Sequence, residues 1–271
     1  MEKTNKAMRH YAKAFIGFIL LDLYLNVAIA GAGNILLQLL LVALFFPILF
    51  TLIKWTGLVG FKDVGIRFHR KWTRNLLIGF GTGFSFWLIS YLLSWRFGAL
   101  ELSGVKPFGQ SILTIGLVLG TFFIGSFFND IITRGYIFGQ LRHRIPALWI
   151  FVISIVVYSF DDIWNEGFSL SNTLFSVLVG LSLTYAFYKS GSIWATTGIH
   201  WGLNVCYGLF NGTLGQDNGG IFYLTTNHSD SLFLEVKKYL IPFLMFLFVV
   251  AIWKVLDSKS KDIPQGESSS M

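Results

Sequence analysis

Residues 110–141 read QSILTIGLVLGTFFIGSFFNDIITRGYIFGQL. The stretch is apolar, with scattered hydroxyls and glycines, up to Phe128; it then sets down Asn129, Asp130 and Arg134 before turning apolar again. A helix of about 20 mostly apolar residues spans the roughly 30 Å of bilayer hydrocarbon, and the alternation of a membrane β-barrel is absent. The run therefore predicts a membrane helix with charge inside it. Ionisable side chains at that depth cost roughly 2.5 to 3.5 kcal/mol on insertion scales, so they face a cavity or a partner and mark a functional site. Asp130 and Arg134 fall one turn apart on a single helix face, with Asn129 about 100° around.

The whole chain shares this character. Of its 271 residues 54% are hydrophobic and only 13% charged, far from the roughly 25% charged residues of a soluble domain, and the mean hydropathy is +0.63. The expectation is an all-α polytopic membrane protein of about eight transmembrane helices, with spans near 14–33, 34–54, 75–95, 110–141, 147–164, 172–190, 193–210 and 239–256. That makes residues 1–256 a single membrane domain and 257–271 a short polar cytoplasmic tail. The fourth run exceeds one span, so Gly135 to Arg144 is expected to project into the cytoplasm. The first apolar stretch follows Lys3, Lys6, Arg9 and Lys13 and lacks a small-residue cleavage site, which reads as a retained span.

With both termini cytoplasmic, segments 1–13, 54–74, 134–144, 189 and 254–261 hold 17 of the 21 Lys and Arg residues, leaving Arg96, Lys106, Lys237 and Lys238 outside. This satisfies the positive-inside rule and points to a multi-pass protein of the cell membrane. The net charge of +7 then reflects topology and contact with anionic membrane lipid; no nucleic-acid partner is called for. A lone cysteine, Cys206, excludes a disulfide framework or a cysteine-rich metal site. Residues 54–74 mix Phe61, Val64, Ile66, Phe68 and Trp72 with basic residues and read as a short amphipathic interface element. The polar loop 211–234 carries glycosylation triplets at Asn211 and Asn227, which occur commonly by chance.

Two further polar stretches match the first in depth. At about 1.5 Å per residue, Asn129 lies some 22 Å from the cytoplasmic end of its helix; Asp162, at the end of the next apolar run, lies at about the same height, and His200 and Asn204 at roughly 16 and 22 Å. His200 and Asn204 also share one helix face. A buried ion pair accounts for Asp130 with Arg134 alone, but it leaves unexplained a further carboxylate and a His-x3-Asn at matching depth. Asp22 and Asn26 in the first span read as an interhelical hydrogen bond, and Gly79, Gly81, Gly83, Gly116, Gly120 and Gly125 as packing positions.

The run Asn129-Asp130-Ile-Ile-Thr-Arg134-Gly135-Tyr136-Ile-Phe-Gly-Gln-Leu141 resembles the Glu-Glu-x3-Arg-Gly motif of the CPBP intramembrane proteases, also called the Abi or CAAX-protease family. Gly191-Ser192-Ile193-Trp194-Ala195 followed by His200-Trp-Gly-Leu-Asn204 resembles that family's final His-x3-Asn motif, so the resemblance covers roughly 75–210. It implies a membrane endopeptidase in which the first glutamate activates water, a histidine on the next span assists, and the last His and Asn stabilise the oxyanion. This chain departs at the first two positions: Asn129 stands for the base glutamate, Asp130 for the second, and Tyr158-x3-Asp162 replaces Phe-x3-His. Aligning on Phe160 instead puts Trp164 at the histidine position.

Two function classes follow. One is an endopeptidase using Asp130 and Asp162 as an acid–base pair, with His200 and Asn204 donating to the oxyanion and Arg134 in its family place. The other is an inactive relative that binds another membrane protein as scaffold, immunity factor or regulator. In either case the partner is a membrane protein or peptide. No cofactor is implied; a metal site from Asp130, Asp162 and His200 lacks the His-Glu-x2-His helix signature, and a transporter lacks an inverted repeat.

Overall fold

A computed structural model describes residues 2–213, 219–227 and 232–252. The expected 257–271 tail, the end of the last span at 253–256 and the His228 and Ser229 of the second glycosylation triplet lie outside them.

Helix α1 (Glu2–Leu23) runs directly into a π-helical segment, Tyr24–Ile29. Helix α2 (Ile35–Trp55) starts where the Asn34 side chain accepts from the Leu37 amide at 2.9 Å, satisfying one of the donors that a helix N-terminus leaves open. Helix α3 (Trp72–Arg96) follows a 3-10 turn at Phe61–Val64. The long decisive stretch is one continuous helical rod: α4 (Phe108–Asp130), a π segment (Ile131–Tyr136) and α5 (Ile137–Leu141). Then come α6 (Ala147–Asp161), the single turn α7 (Ile163–Glu166), α8 (Leu170–Ser190), α9 (Ile193–Asn211) and α10 (Leu232–Ala251).

Among the described residues eight long helical segments thus correspond to the eight expected spans. Five are long and apolar enough to cross a membrane: 5–29, 35–55, 72–96, 108–141 and 170–190. The others differ for physical reasons. Helix α6 has 15 residues, and α9 carries Thr196, Thr197, His200 and Asn204 because it packs among α3, α4 and α8. Large apolar side chains such as Leu36, Leu113 and Leu77 are exposed on the outer helices, as a lipid-facing surface requires.

Helices α3 and α9 come together backbone to backbone. A Cβ on Gly83 would run into the Ile199 carbonyl oxygen, and one on Gly202 into that of Phe80; Gly79 and Gly198 make reciprocal approaches to Ala195 and Leu76. This close crossing seats α9 in the centre of the molecule. On the other flank Phe45 of α2 stacks on Phe128 of α4, with ring centroids 3.8 Å apart.

One expectation is corrected. Gly135–Leu141 does not project from the protein; a Cβ on Gly135 would meet the Val64 carbonyl, one on Gly139 that of Asp63, and Gln140 Nε2 donates to Thr56 Oγ1 at 2.6 Å. The end of the rod is docked on the 56–66 segment, and the basic turn 142–144 begins only after it. The fold is the expected all-α one, with a single short ribbon added: β1 (Leu100–Val105) and β2 (Phe222–Thr226) pair antiparallel, Leu100 opposite Thr226. Two short strands so distant in sequence carry no local hairpin signal.

Candidate active site

The π segment at 131–136 lies against α1, α6, α8 and the 61–64 turn, and the polar residues gather around it. Such π turns recur at functional sites, where the wider turn re-aims side chains. Asp130 and Arg134 are fully buried and joined, Arg134 Nη1 donating to Asp130 Oδ1. The same Nη1 reaches Thr133 Oγ1 at 2.9 Å, while Thr133 donates to the Asn129 carbonyl at 2.8 Å. The guanidinium carbon sits 4.4 Å from the Tyr158 ring centroid, a cation–π arrangement from α6.

Helix α9 closes this cluster from the other side. Thr196 Oγ1 donates to Asp130 Oδ1 at 3.3 Å, and His200 Nδ1 faces the same oxygen at 3.4 Å. The latter contact is an ion-pair approach without hydrogen-bond alignment, since His200 Nδ1 has no hydrogen-bond partner. The His200 and Tyr158 rings meet edge to face, 5.9 Å between centroids. One turn on, Asn204 Nδ2 donates to Ser126 Oγ of α4 at 3.1 Å. Asp130 Oδ2 and Arg134 Nε and Nη2 are buried without a hydrogen-bond partner, so the pair retains acceptor and donor capacity.

A second polar cluster adjoins it. Asn129 Nδ2 donates to Asp161 Oδ2, and Asn26 Nδ2 donates to Asp161 Oδ1 at 2.9 Å and to Asp22 Oδ1 at 3.3 Å. The Asp22 carboxyl is itself within hydrogen-bonding reach of that of Asp161. Asp22, Asn129 and Asp161 are all buried. The first-span pair expected to serve only as an interhelical bond therefore belongs to the same polar core.

Of the residues expected at the site, Asp130, Arg134 and His200 converge directly. Asn204 lies one helical turn away on Ser126, and Asn129 meets a carboxylate on α6. Asp162 is the exception: its Oδ2 accepts from Ser176 Oγ of α8, and the carboxylate turned toward Asn129 belongs to its neighbour Asp161. Consecutive helical residues point about 100° apart, so a one-residue choice between the two aspartates decides which faces the site. Asp22, Asn26, Ser126, Asp161 and Thr196 are participants that motif spacing did not select, although the Asp161-Asp162 doublet and the Asp22-x3-Asn26 spacing were visible signals. Among the described residues no set of three or more His, Cys, Asp and Glu side chains could hold a metal ion.

Residues 111–206 match the family model of Rce1-like type II CAAX prenyl endopeptidases. This region is similar to the core of that family. The match includes the α4 to α9 positions just described, from Ser126 to Asn204, and leaves outside it Asp22 of α1 and Asn26 of the π segment that follows. No curated protein and no solved structure matches the chain. The protein is thus a CAAX-protease-like, multi-pass membrane protein that buries Asn129, Asp130, Arg134 and His200 within the matched region.

Proposed function

We propose that this CAAX-protease-like membrane protein is an intramembrane endopeptidase in which the water-activating carboxylate has moved from position 129 to Asp161. The observation carrying this reading is the hydrogen bond from Asn129 to Asp161, which puts a carboxylate from α6 against the residue occupying the family's base position. Asp22 shares the Asn26 amide with Asp161, and two carboxylates at such range in a medium of low dielectric suit a proton relay.

In the reaction, Asp161 takes a proton from water as the water oxygen bonds to the scissile carbonyl carbon. The carbonyl oxygen gains the negative charge, and His200 and Asn204 on α9 donate to it. When the carbon–nitrogen bond breaks, the proton held on Asp161 passes to the leaving amine. Preorganised donors of this kind are worth about 3 to 4 kcal/mol of barrier. Asp130, paired with Arg134, places its carboxylate beside the Nδ1 side of His200. Asp162, engaged with Ser176, holds α6 to α8.

The membrane domain spans residues 1–256 with both termini in the cytoplasm, as the Lys and Arg distribution supports. A reporter inserted between Gly212 and Leu232 reads as external in this topology; a cytoplasmic signal overturns it. The substrate is a membrane-embedded protein or peptide, consistent with the family's chemistry.

A second reading keeps the fold without the catalysis: a scaffold, immunity factor or regulator that binds another membrane protein. The amide at position 129 favours it, because Asn can neither carry charge nor accept a proton usefully. Profiling of new protein N-termini in membranes with wild type, Asp161→Asn or neither separates the two. New termini that depend on Asp161 support the endopeptidase; none, from stably inserted wild-type protein, leave the binding role.

A further inference from the structure

A cavity of about 430 Å³ opens where the N-terminal half of α1 meets the 57–63 linker and the turn that follows α5. Its lining includes His10, Val59, Asp63, Arg142, His143 and Arg144. Four of these six are basic. Asp63 is engaged by Arg142, and it also accepts from the Val59 and Gly60 amides at 2.6 and 3.3 Å. His10 lies within electrostatic reach of both Arg144 and Lys13. Among the described residues Arg144 has no carboxylate opposite it, so its charge in the cavity is not neutralised by the protein, and His143 beside it adds an imidazole donor.

The backbone gathers these groups. His143 adopts a left-handed conformation, φ 69°, uncommon for a residue with a side chain. It follows the last turn of α5, so Arg142, His143 and Arg144 all line one cavity where a continuing helix would have fanned them round its circumference. The neighbouring surface has the marks of a membrane boundary. Lys13 Nζ sits 5.6 Å from the ring centroid of Trp55, Lys54 Nζ sits 5.4 Å from that of Phe50, and Val59, on the lip of the cavity, is 78% exposed. Trp and Lys at a helix end are interface anchors, and basic pockets between membrane helices at that level suit anionic headgroups.

We propose that this cavity binds the phosphate of an anionic lipid headgroup, with Arg144 and His143 as its ligands and the apolar lip at Val59 receiving the start of the acyl chains. Free phosphate shares the recognition chemistry, but it makes no use of an exposed apolar lip. This proposal is independent of whether Asp161 is catalytic.

The test uses the full chain purified in a neutral detergent and probed with dihexanoyl phosphatidic acid, dihexanoyl phosphatidylcholine or inorganic phosphate, reading binding by native mass spectrometry and thermal shift. Phosphatidic acid should bind and raise the unfolding temperature. Arg144→Gln with His143→Gly, a pair that also relieves the backbone at 143, should weaken that binding tenfold or more. Lys237→Gln with Lys238→Gln, remote from the cavity, should leave it unchanged. Stabilisation by inorganic phosphate as strong as by phosphatidic acid would assign the site to free phosphate and overturn the lipid assignment. Equal binding of phosphatidic acid and phosphatidylcholine, or unchanged binding in the Arg144/His143 variant, would overturn the site itself.

Discussion

Asn129 donates its side-chain amide to the carboxylate of Asp161, although the two residues come from different helices, α4 and α6. This bond puts a carboxylate from α6 beside the amide at position 129. It also ties α4 to the polar end of α6 and, through Asn26, to the first span.

Exchanging the two residues tests whether the carboxylate or its position matters. Asp161→Asn should lower cleavage by about 10² to 10⁴, the range of general acid–base contributions. Asn129→Asp combined with Asp161→Asn should bring cleavage back, because a carboxylate and an amide still face each other. Counting substrate-derived N-termini for both variants checks this, and an active Asp161→Asn protein would be incompatible with the assignment.

The Asp130–Arg134 pair has no solvent exposure on either side chain. Removing one member strands the other as a buried charge, which costs about 3 to 5 kcal/mol. Arg134→Met should therefore lower unfolding stability in detergent by that amount, and Asp130→Leu with Arg134→Met should recover much of it. Destabilisation that simply adds up in the double variant would contradict the pairing.

Two nearby glycines on α3 should respond differently to the same substitution. At Gly83 a Cβ would strike the Ile199 backbone, whereas at Gly81 nothing lies within 4 Å. Overpacking of this kind costs about 1 to 3 kcal/mol, so Gly83→Ala should lower the folded yield and melting temperature while Gly81→Ala leaves both unchanged. Thermal unfolding of the two proteins side by side is sufficient.

Acid should weaken the junction between the 56–66 segment and the basic turn. Burial opposes ionisation of Asp63, but the amides of Val59 and Gly60 and the Arg142 guanidinium outweigh it and hold the carboxyl below its ordinary value. A carboxyl lowered on folding contributes stability in full above its unfolded value of about 4, and loses it as pH falls through the folded value. Asp63→Asn should flatten the stability profile in that acid window. At neutral pH it should cost only about 0 to 1 kcal/mol, since the pair is partly exposed. Unfolding curves of both proteins from pH 7 downward measure the difference.

Much of the site was legible one helix at a time. Within a helix, side-chain direction follows from spacing, so Asp130 with Arg134 and His200 with Asn204 could be put on common faces from sequence. Depth along the membrane followed from counting residues at a fixed rise. The rotation of one helix about its axis relative to the next did not follow, and this is why Asp162 was selected where Asp161 faces Asn129. The π segments at Tyr24–Ile29 and Ile131–Tyr136 add to the difficulty, because each shifts the angular register of what comes after it.

By itself the sequence determined that the chain is a helical membrane protein with charge at membrane depth, because apolar length and the cost of buried ionisable groups are properties of composition and local order. Its motif spacing also determined the family likeness, which the match at 111–206 bears out. Only the tertiary structure decided which carboxylate meets Asn129, that Asp22 and Asn26 join the polar core, that the end of the α4–α5 rod docks on the 56–66 segment, and that β1 and β2 pair. Each of these depends on how one element is turned and brought against another distant in sequence, and neighbouring residues along a chain carry no record of that rotation.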